Sequence, residues 1–406
     1  MKKRILFVFL ALVLVVSLVA FAACAKEEEV PPVEEEVWQW PERLLICATS
    51  TASAGYGALI AFLTPLSDDT GTEIRIVCES NTQLRHRWLK EGRFFFGGVV
   101  LGGRSMLEAQ TGYATRDGGP WQLRTFYAQN RMESGFSVRG DSGIKTPYDI
   151  KPGVKLIWFP FMGPTAKNSL LALLAWAQVD EEDVVWVPAS TGSAAPKLMM
   201  DGRGDTVFGM FPTSPSMYNL EAAPCGLGWI DLDAEADPEG AKRFFEVYSD
   251  LSFGKITVGV PSAIGVNSLC GPSAQGGTVD IDPELVYHFV KWMAENFDRY
   301  KDAHSWCQYM TVDNLMELAE TSYVPLHDGA VRYFEEIGRW TPAHEARRQQ
   351  NIDLITRYIE TFQACIDTAD EREITVDPTN EEWLELWENA KKQLPKLKLF
   401  IGIDLD

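Results

Sequence analysis

The sequence predicts an α/β protein of two lobes, each a mostly parallel sheet flanked by helices, with a helical extension at its C-terminal end. Three observations predict it. Short apolar β-rich runs are each followed by a small-residue loop and a helix, the layout of a parallel sheet whose strand ends host ligands. The pattern fills two successive blocks, and β character then returns near Val258 (ITVGVPSAIGVN). The chain beyond Arg43 is also longer than one ordinary core accommodates.

The first block opens with a strand at 43–48 (RLLICA), a polar loop at 49–57 (TSTASAGYG) and helical character at 58–64. A strand at 74–78 follows, then Ser80, Asn81 and Thr82 as loop and N-cap, and a helix at 83–91. The run 97–101 (GGVVL) reads as a third strand before Gly102 and Gly103. In the second block, 141–150 (DSGIKTPYDI) reads as a capped short helix, with Asp141 and Asp149 as caps. Strands are expected at 154–159, 184–187 and 205–210, helices at 166–179 and 191–200, and a loop and strand at 222–231. After the return, 282–301 reads as one helix with a stripe at Leu285, Phe289, Trp292 and Phe297. The expected boundaries are lobe I at 43–140, lobe II at 141–257, a lobe I return at 258–342 and a helical extension at 343–406. Trp383 and Trp387, spaced i,i+4, should pack on the body. A first lobe resumed after the second implies two crossing strands and a ligand cleft between the lobes.

The N-terminal segment has its own logic. Residues 1–23 combine a basic start with an uninterrupted apolar run and small residues, which describes an export signal. Cys24 follows two alanines and resembles a bacterial lipobox, which implies acylation of its thiol. A plain membrane anchor is the alternative, since the apolar run nearly spans a bilayer. Residues 24–42, including KEEEVPPVEEEV, read as an acidic extended stalk. Either way the body is expected outside the cytoplasmic membrane.

The formal charge of −20 argues against a nucleic-acid partner. Beyond Cys24 stand Cys47, Cys78, Cys225, Cys270, Cys307 and Cys365, an even set that permits disulfides without specifying a pairing. Cys47 and Cys78, at the ends of apolar runs, also read as buried thiols on neighbouring strands. No Walker loop, nucleophile elbow or zinc spacing is present, so neither cofactor nor metal is expected and an enzyme is disfavoured.

Specific motifs carry a resemblance. VRGDSGIKTPYDIKPGVKL at 138–156 and VPLHDGAVRYFEEIG at 324–338 resemble conserved segments of the TAXI family, the solute-binding subunits of TRAP-type transporters. CATSTASAGYG, LRHRWLKEG and DGRGDTVFGMF match more weakly, and the order holds over about residues 43–340. The resemblance implies a periplasmic-binding-protein-like fold, type II-like, that closes on a small carboxylate and delivers it to a TRAP-type permease. Ser53, Ala54 and Tyr56 intrude in a loop the family makes glycine-rich, and 101–104 (LGGR) and 162–165 (MGPT) depart from its polar loops. The pocket is therefore expected to be remodelled.

Site residues are expected where loops leave strands. Thr49, Thr51, Ser53 and Tyr56 line the first loop, Asn81 the second, and Gly102 and Arg104 the third. Arg104 could pair with a carboxylate, in which case Arg104→Ala should leave the fold intact. Phe161, Thr165, Lys167 and Asn168 stand at a second-lobe helix start, and Phe211, Thr213 and Ser214 follow the next strand. Capping, core packing or surface exposure is the alternative for each. His327 reads as structural. Aromatic content near the cleft points to a carboxylate with an apolar or aromatic portion. A sensory subunit and, less favoured, a surface enzyme are the competing functions.

Overall fold

Two strand–loop–helix units open the folded body in this computed structural model, which describes residues 38–49, 51, 54–79, 81–98, 103–160, 164–192, 194–249 and 251–397. Strand β1 (Arg43–Ala48) leads to helix α1 (Ala54–Thr70), and β2 (Glu73–Cys78) leads to α2 (Thr82–Lys90). The two strands pair in parallel, Ile46 beside Ile76. Then come β3 (Gly97–Gly98), the short α3 (Gly103–Leu107) and the long β4 (Leu123–Arg139). Trp40, assigned to the stalk on sequence, packs against the core of this lobe.

The second lobe is built from β5 (Lys155–Trp158), α4 (Pro164–Ala177), β6 (Val185–Pro188), α5 (Ala194–Met200), β7 (Thr206–Met210), α6 (Pro215–Glu221), β8 (Leu227–Trp229), α7 (Pro238–Val247) and β9 (Ser252–Lys255). Strand β10 (Asn267–Thr278) returns the chain to the first lobe. There α8 (Pro283–Glu295), α9 (Phe297–Tyr300), α10 (Val312–Thr321) and α11 (Asp328–Glu336) complete it, and α12 (Pro342–Glu371) and α13 (Glu381–Lys391) form the extension.

Among the described residues the larger sheet has eight strands, with the path β3-β10-β4-β7-β5-β6, β8 on β4 and β9 on β10. It is mixed, which corrects the expectation of mostly parallel sheets. Strands β5, β6 and β7 are parallel, but β4 runs antiparallel to β7, β8 and β10. The return to β structure also falls later than expected: 261–263 is a 3-10 turn and the strand begins at Asn267.

Strands β4 and β10 join the lobes. Phe126, Tyr127 and Ala128 of β4 sit in the first-lobe core with Ala274 of β10. Met132, Phe136 and Val138 sit in a second-lobe core with Leu269. The ladder slips between these halves at Ser273/Ala274, and again within the first-lobe half at Gln275/Gly276. Ser273 and Ala274 oppose Asn130 and Ala128, so Gln129 is an inserted residue, and Phe126 is inserted in the same way. Such bulges bend a strand and sharpen its twist. The bulge at Gln129 lies between the two cores.

Other departures are local. The expected helix at 282–301 breaks at Asn296, which caps α8 with its backbone N–H on the Trp292 carbonyl. The expected short helix at 141–150 is a 3-10 turn over Pro147–Asp149, in which Asp149 and Thr146 form a capping box. Asp141 does not cap; its carboxylate pairs with Arg139 at 2.8 Å. Cys78 is exposed rather than buried, and all six described cysteines are free. Cys47 stands opposite Val77 and Ala48 opposite Cys78, so the two thiols project to opposite faces of the pair.

Candidate functional site

Among the described residues, two contacts between the lobes involve the sequence-chosen loops. The first contact gathers the start of α1, the loop before residues 307–309, and the loop after β7. Thr49 and Thr51 are exposed at the first loop, and Tyr56 is half-buried against the first-lobe core. Gly57 follows. A Cβ there would lie 3.3 Å from Cδ2 and Nε2 of His304, so the glycine lets that imidazole lie close against the helix start.

His304 is held by its own turn, its Nδ1 accepting the Trp306 backbone N–H at 3.1 Å. An accepting Nδ1 leaves the hydrogen of the neutral ring on Nε2. Burial lowers the imidazole's pKa, which keeps it neutral at pH 7. The Trp306 ring stands perpendicular to it, centroids 6.1 Å apart. Trp306 in turn meets Phe211 of the second lobe, edge to face at 6.2 Å and 64°. Beyond Phe211, the Pro212 carbonyl accepts the Val260 N–H at 3.0 Å. Gly259 there has φ +120°, and a Cβ would come within 2.5 Å of Pro212, so only glycine fits.

The second contact is polar. Arg104 donates from Nε to Glu108 at 3.0 Å and from Nη1 to the Ser249 hydroxyl of the second lobe at 3.1 Å. Both members of the ion pair are largely buried, with side chains 16% and 9% exposed. The helix carrying Arg104, with Glu108 just past its end, is braced from behind by the extension. Trp387 Nε1 donates to the Glu108 carbonyl at 2.9 Å, and Trp383 Nε1 donates to the Ala114 carbonyl at 2.8 Å. Both indoles are fully buried, as the i,i+4 spacing predicts.

The remaining sequence candidates divide. Asn81 is the N-cap of α2, its side chain accepting from Leu84 N at 3.0 Å. Thr165 and Asn168 lie in the first turns of α4. Lys167 of the same helix is turned to its own lobe, with Glu181 at 3.1 Å and the Trp186 ring at 4.8 Å. Thr213 is exposed, and the Ser214 hydroxyl bonds back to the Phe211 carbonyl at 2.8 Å. Ser53, Gly102, Phe161 and Cys24 lie outside the described residues. His327 is the N-cap of α11, accepting from Gly329 N at 3.3 Å, with burial pushing its pKa down to about 4.

Three groups at the lobe junction escaped the sequence reading. His304 and Trp306 belong to a loop with no periodic pattern, far along the chain from the loops they meet. Glu133, buried inside β4, accepts from Thr257 N at 2.6 Å, Thr257 Oγ1 at 2.7 Å and Val258 N at 3.1 Å. Three donors satisfy that carboxylate and fasten the segment before β10 to the crossing strand.

Two hollows lie elsewhere. One of about 260 Å³ runs between α2 and residues 112–121. The other, about 540 Å³, is on the second lobe among Arg139, Asp141, Asp149 and Asp205. Its carboxylates are occupied, Asp205 by Lys155 N and Asp149 by Lys145 N and Thr146 N. Among the described residues no group of His, Cys, Asp and Glu side chains could hold a metal ion. Among the same residues no helix is long and apolar enough to cross a membrane.

The profile of the NMT1-like family matches residues 86–338, more than half of the chain. No curated protein sequence matches it. Among solved structures, the chain is similar to the periplasmic aliphatic sulphonate binding protein SsuA from Escherichia coli at 12% identity, over 90% of this chain and 96% of that one, TM-score 0.40. It is similar to MatC from Rhodopseudomonas palustris with bound malate at 12% identity, over 74% and 98%, TM-score 0.44. A putative methionine-binding lipoprotein from Bacillus subtilis also aligns at 12% identity, over 66% and 96%, TM-score 0.37. Superpositions this loose leave ligand and partner to the chain's own residues.

Proposed function

The chain belongs to the NMT1-like family, and we propose that it is an extracytoplasmic receptor that captures a small organic solute between its lobes. One observation carries the reading. Two separately cored lobes are joined by a bulged strand pair and meet again through loops at strand ends, by Phe211 on Trp306 and Arg104 on Ser249. A hinge with opposed contact surfaces opens and closes on a ligand. Catalysis would need a nucleophile, a base and an orienting group within reach of one another, whereas the contact surfaces here offer rings, a neutral imidazole and an internally paired arginine.

The finer assignment rests on sequence. The motifs at 138–156 and 324–338 favour a TAXI-type subunit that hands its solute, a small carboxylate, to a TRAP-type permease. The lipobox-like Cys24 favours a lipid anchor outside the cytoplasmic membrane. Arg104 is the sequence-chosen cation that reaches across the junction, but Glu108 already neutralises it. A carboxylate would therefore be held mainly by backbone donors at the helix starts after β1 and β5.

The test is calorimetric titration of the body lacking residues 1–37 with organic acids, amino acids and sulphonates, followed by small-angle scattering. Saturable binding with a smaller radius of gyration is expected. A saturating, specific ligand that leaves the radius unchanged would argue against capture by closure.

A further inference from the structure

We infer that Phe211, Trp306 and His304 form a ring-binding subsite, so that the captured solute carries a flat unsaturated ring. The inference rests on the receptor reading above and narrows it to a substrate class. Phe211 and Trp306 come from opposite lobes, and both are half-buried on loops rather than enclosed in a core. Buried aromatic pairs within a core hold one element to another. Here each ring packs on the edge of its own lobe's core, and the contact between them spans the two lobes. Two rings 6.2 Å apart across a hinge are a slight opening away from accepting a third ring in edge or stacked contact.

His304 supplies the polar feature that orients such a ring. Its Nδ1 is occupied by the Trp306 N–H, and Gly57 leaves room for the imidazole edge at the start of α1. The Nε2 hydrogen therefore stands at a fixed position against the Gly57 turn of α1, where an oxygen or ring nitrogen of a solute entering between that turn and the rings would meet it. Loops on a rigid scaffold that present two rings and one oriented donor suit a planar, ring-bearing solute better than an acyclic dicarboxylate, which would leave both rings against charge.

The experiment titrates the full-length protein in detergent with benzoate, phenylacetate and indole-3-acetate, and in parallel with succinate and glutamate. Wild type should bind at least one ring-bearing probe tenfold or more tighter than either acyclic one. Trp306→Ala should lose tenfold or more on the ring-bearing probes and little on the acyclic ones, with Trp306→Phe restoring most of the loss. Phe211→Ala decides the matter should circular dichroism show the Trp306→Ala protein unfolded. Equal binding of both probe sets, or an unchanged Trp306→Ala, overturns the subsite while the receptor reading stands. A wild type that binds no probe here and no solute in the wider screen overturns both.

Discussion

Arg104 reaches the second lobe from a helix that is itself clamped, whereas Phe211 and Trp306 meet on loops. Behind Arg104 stand Glu108, and behind Glu108 the fully buried Trp387 of the C-terminal extension. Behind Trp306 stand its own turn, the His304 ring and the edge of the first-lobe core. The polar contact is fixed in direction, so its partner Ser249 must come to it. The apolar contact can rearrange, since edge-to-face rings tolerate a range of offsets. A fixed latch beside an adaptable wall lets one closure geometry accept variation in what is held.

The comparison can be broken from the rigid side first. Trp387→Ala removes a fully buried indole and its bond to the Glu108 carbonyl, and should cost about 3–5 kcal/mol in urea unfolding. If the loss is no larger than that of an exposed substitution, the extension does not brace α3.

Acid should weaken the first lobe's foundation, where the His327 N–H meets the Thr125 carbonyl at the root of β4. The folded pKa of His327, about 4, lies below its ordinary value of 6.5, so the unfolded chain takes the proton first as pH falls. Its contribution is complete above pH 6.5 and is lost on the way down to pH 4, by up to about 3 kcal/mol. His327→Asn keeps a capping acceptor and removes the titration. Denaturation at pH 7.5 and 4.5 should show a flatter dependence in that variant than in wild type.

Arg104→Ala probes the latch itself. The sequence alone suggests a harmless change at a ligand site. The structure instead predicts a loss of about 2 kcal/mol, because the Glu108 carboxylate is left in a nearly closed environment without its cation. An unaltered melting temperature would return Arg104 to the surface role. The smallest effect belongs to the adaptable side. Phe211→Ala gives up the cross-lobe ring contact, worth about 1 kcal/mol, and part of its packing on the edge of the second-lobe core. It should lower the melting temperature only modestly yet increase the ligand-free radius of gyration, and an unchanged radius would show that the ring pair does not hold the lobes together.

Much of the fold is legible in the sequence because apolar runs and small-residue loops alternate there. The strands at 43–48, 74–78 and 205–210, the helix after each of the first two and the twin tryptophans all stand where the pattern puts them. Strand β4 was not legible. Its buried positions include Arg124, Gln129, Asn130, Glu133, Ser134 and Ser137, so neither alternation nor an apolar run marks it. Those polar groups are buried because β4 crosses between lobes, and Glu133 and Gln129 find partners on segments much later in the chain. The candidate site divides in the same way. Phe211 follows a recognisable strand, whereas the rings it approaches come from the loop 301–306, whose relevance only tertiary contact reveals. Arg104 was legible as a residue but not as half of an ion pair, since an i,i+4 partner means little until α3 is known to be a helix.

The crossing strands also set an order of assembly. Every buried member of the two second-lobe cores lies between Met132 and Leu269. The first-lobe cores draw on Leu44 through Ala128 and then on Ala274 through Leu397. A chain emerging from its N-terminal end therefore finishes its middle before its beginning, because β1, β2 and α1 wait for helices synthesised last. A product ending at Glu295 should protect the amides of β5 and β7 from exchange while those of β1 exchange freely. On that order the first lobe's core is complete only once Trp383 and Trp387 are in place.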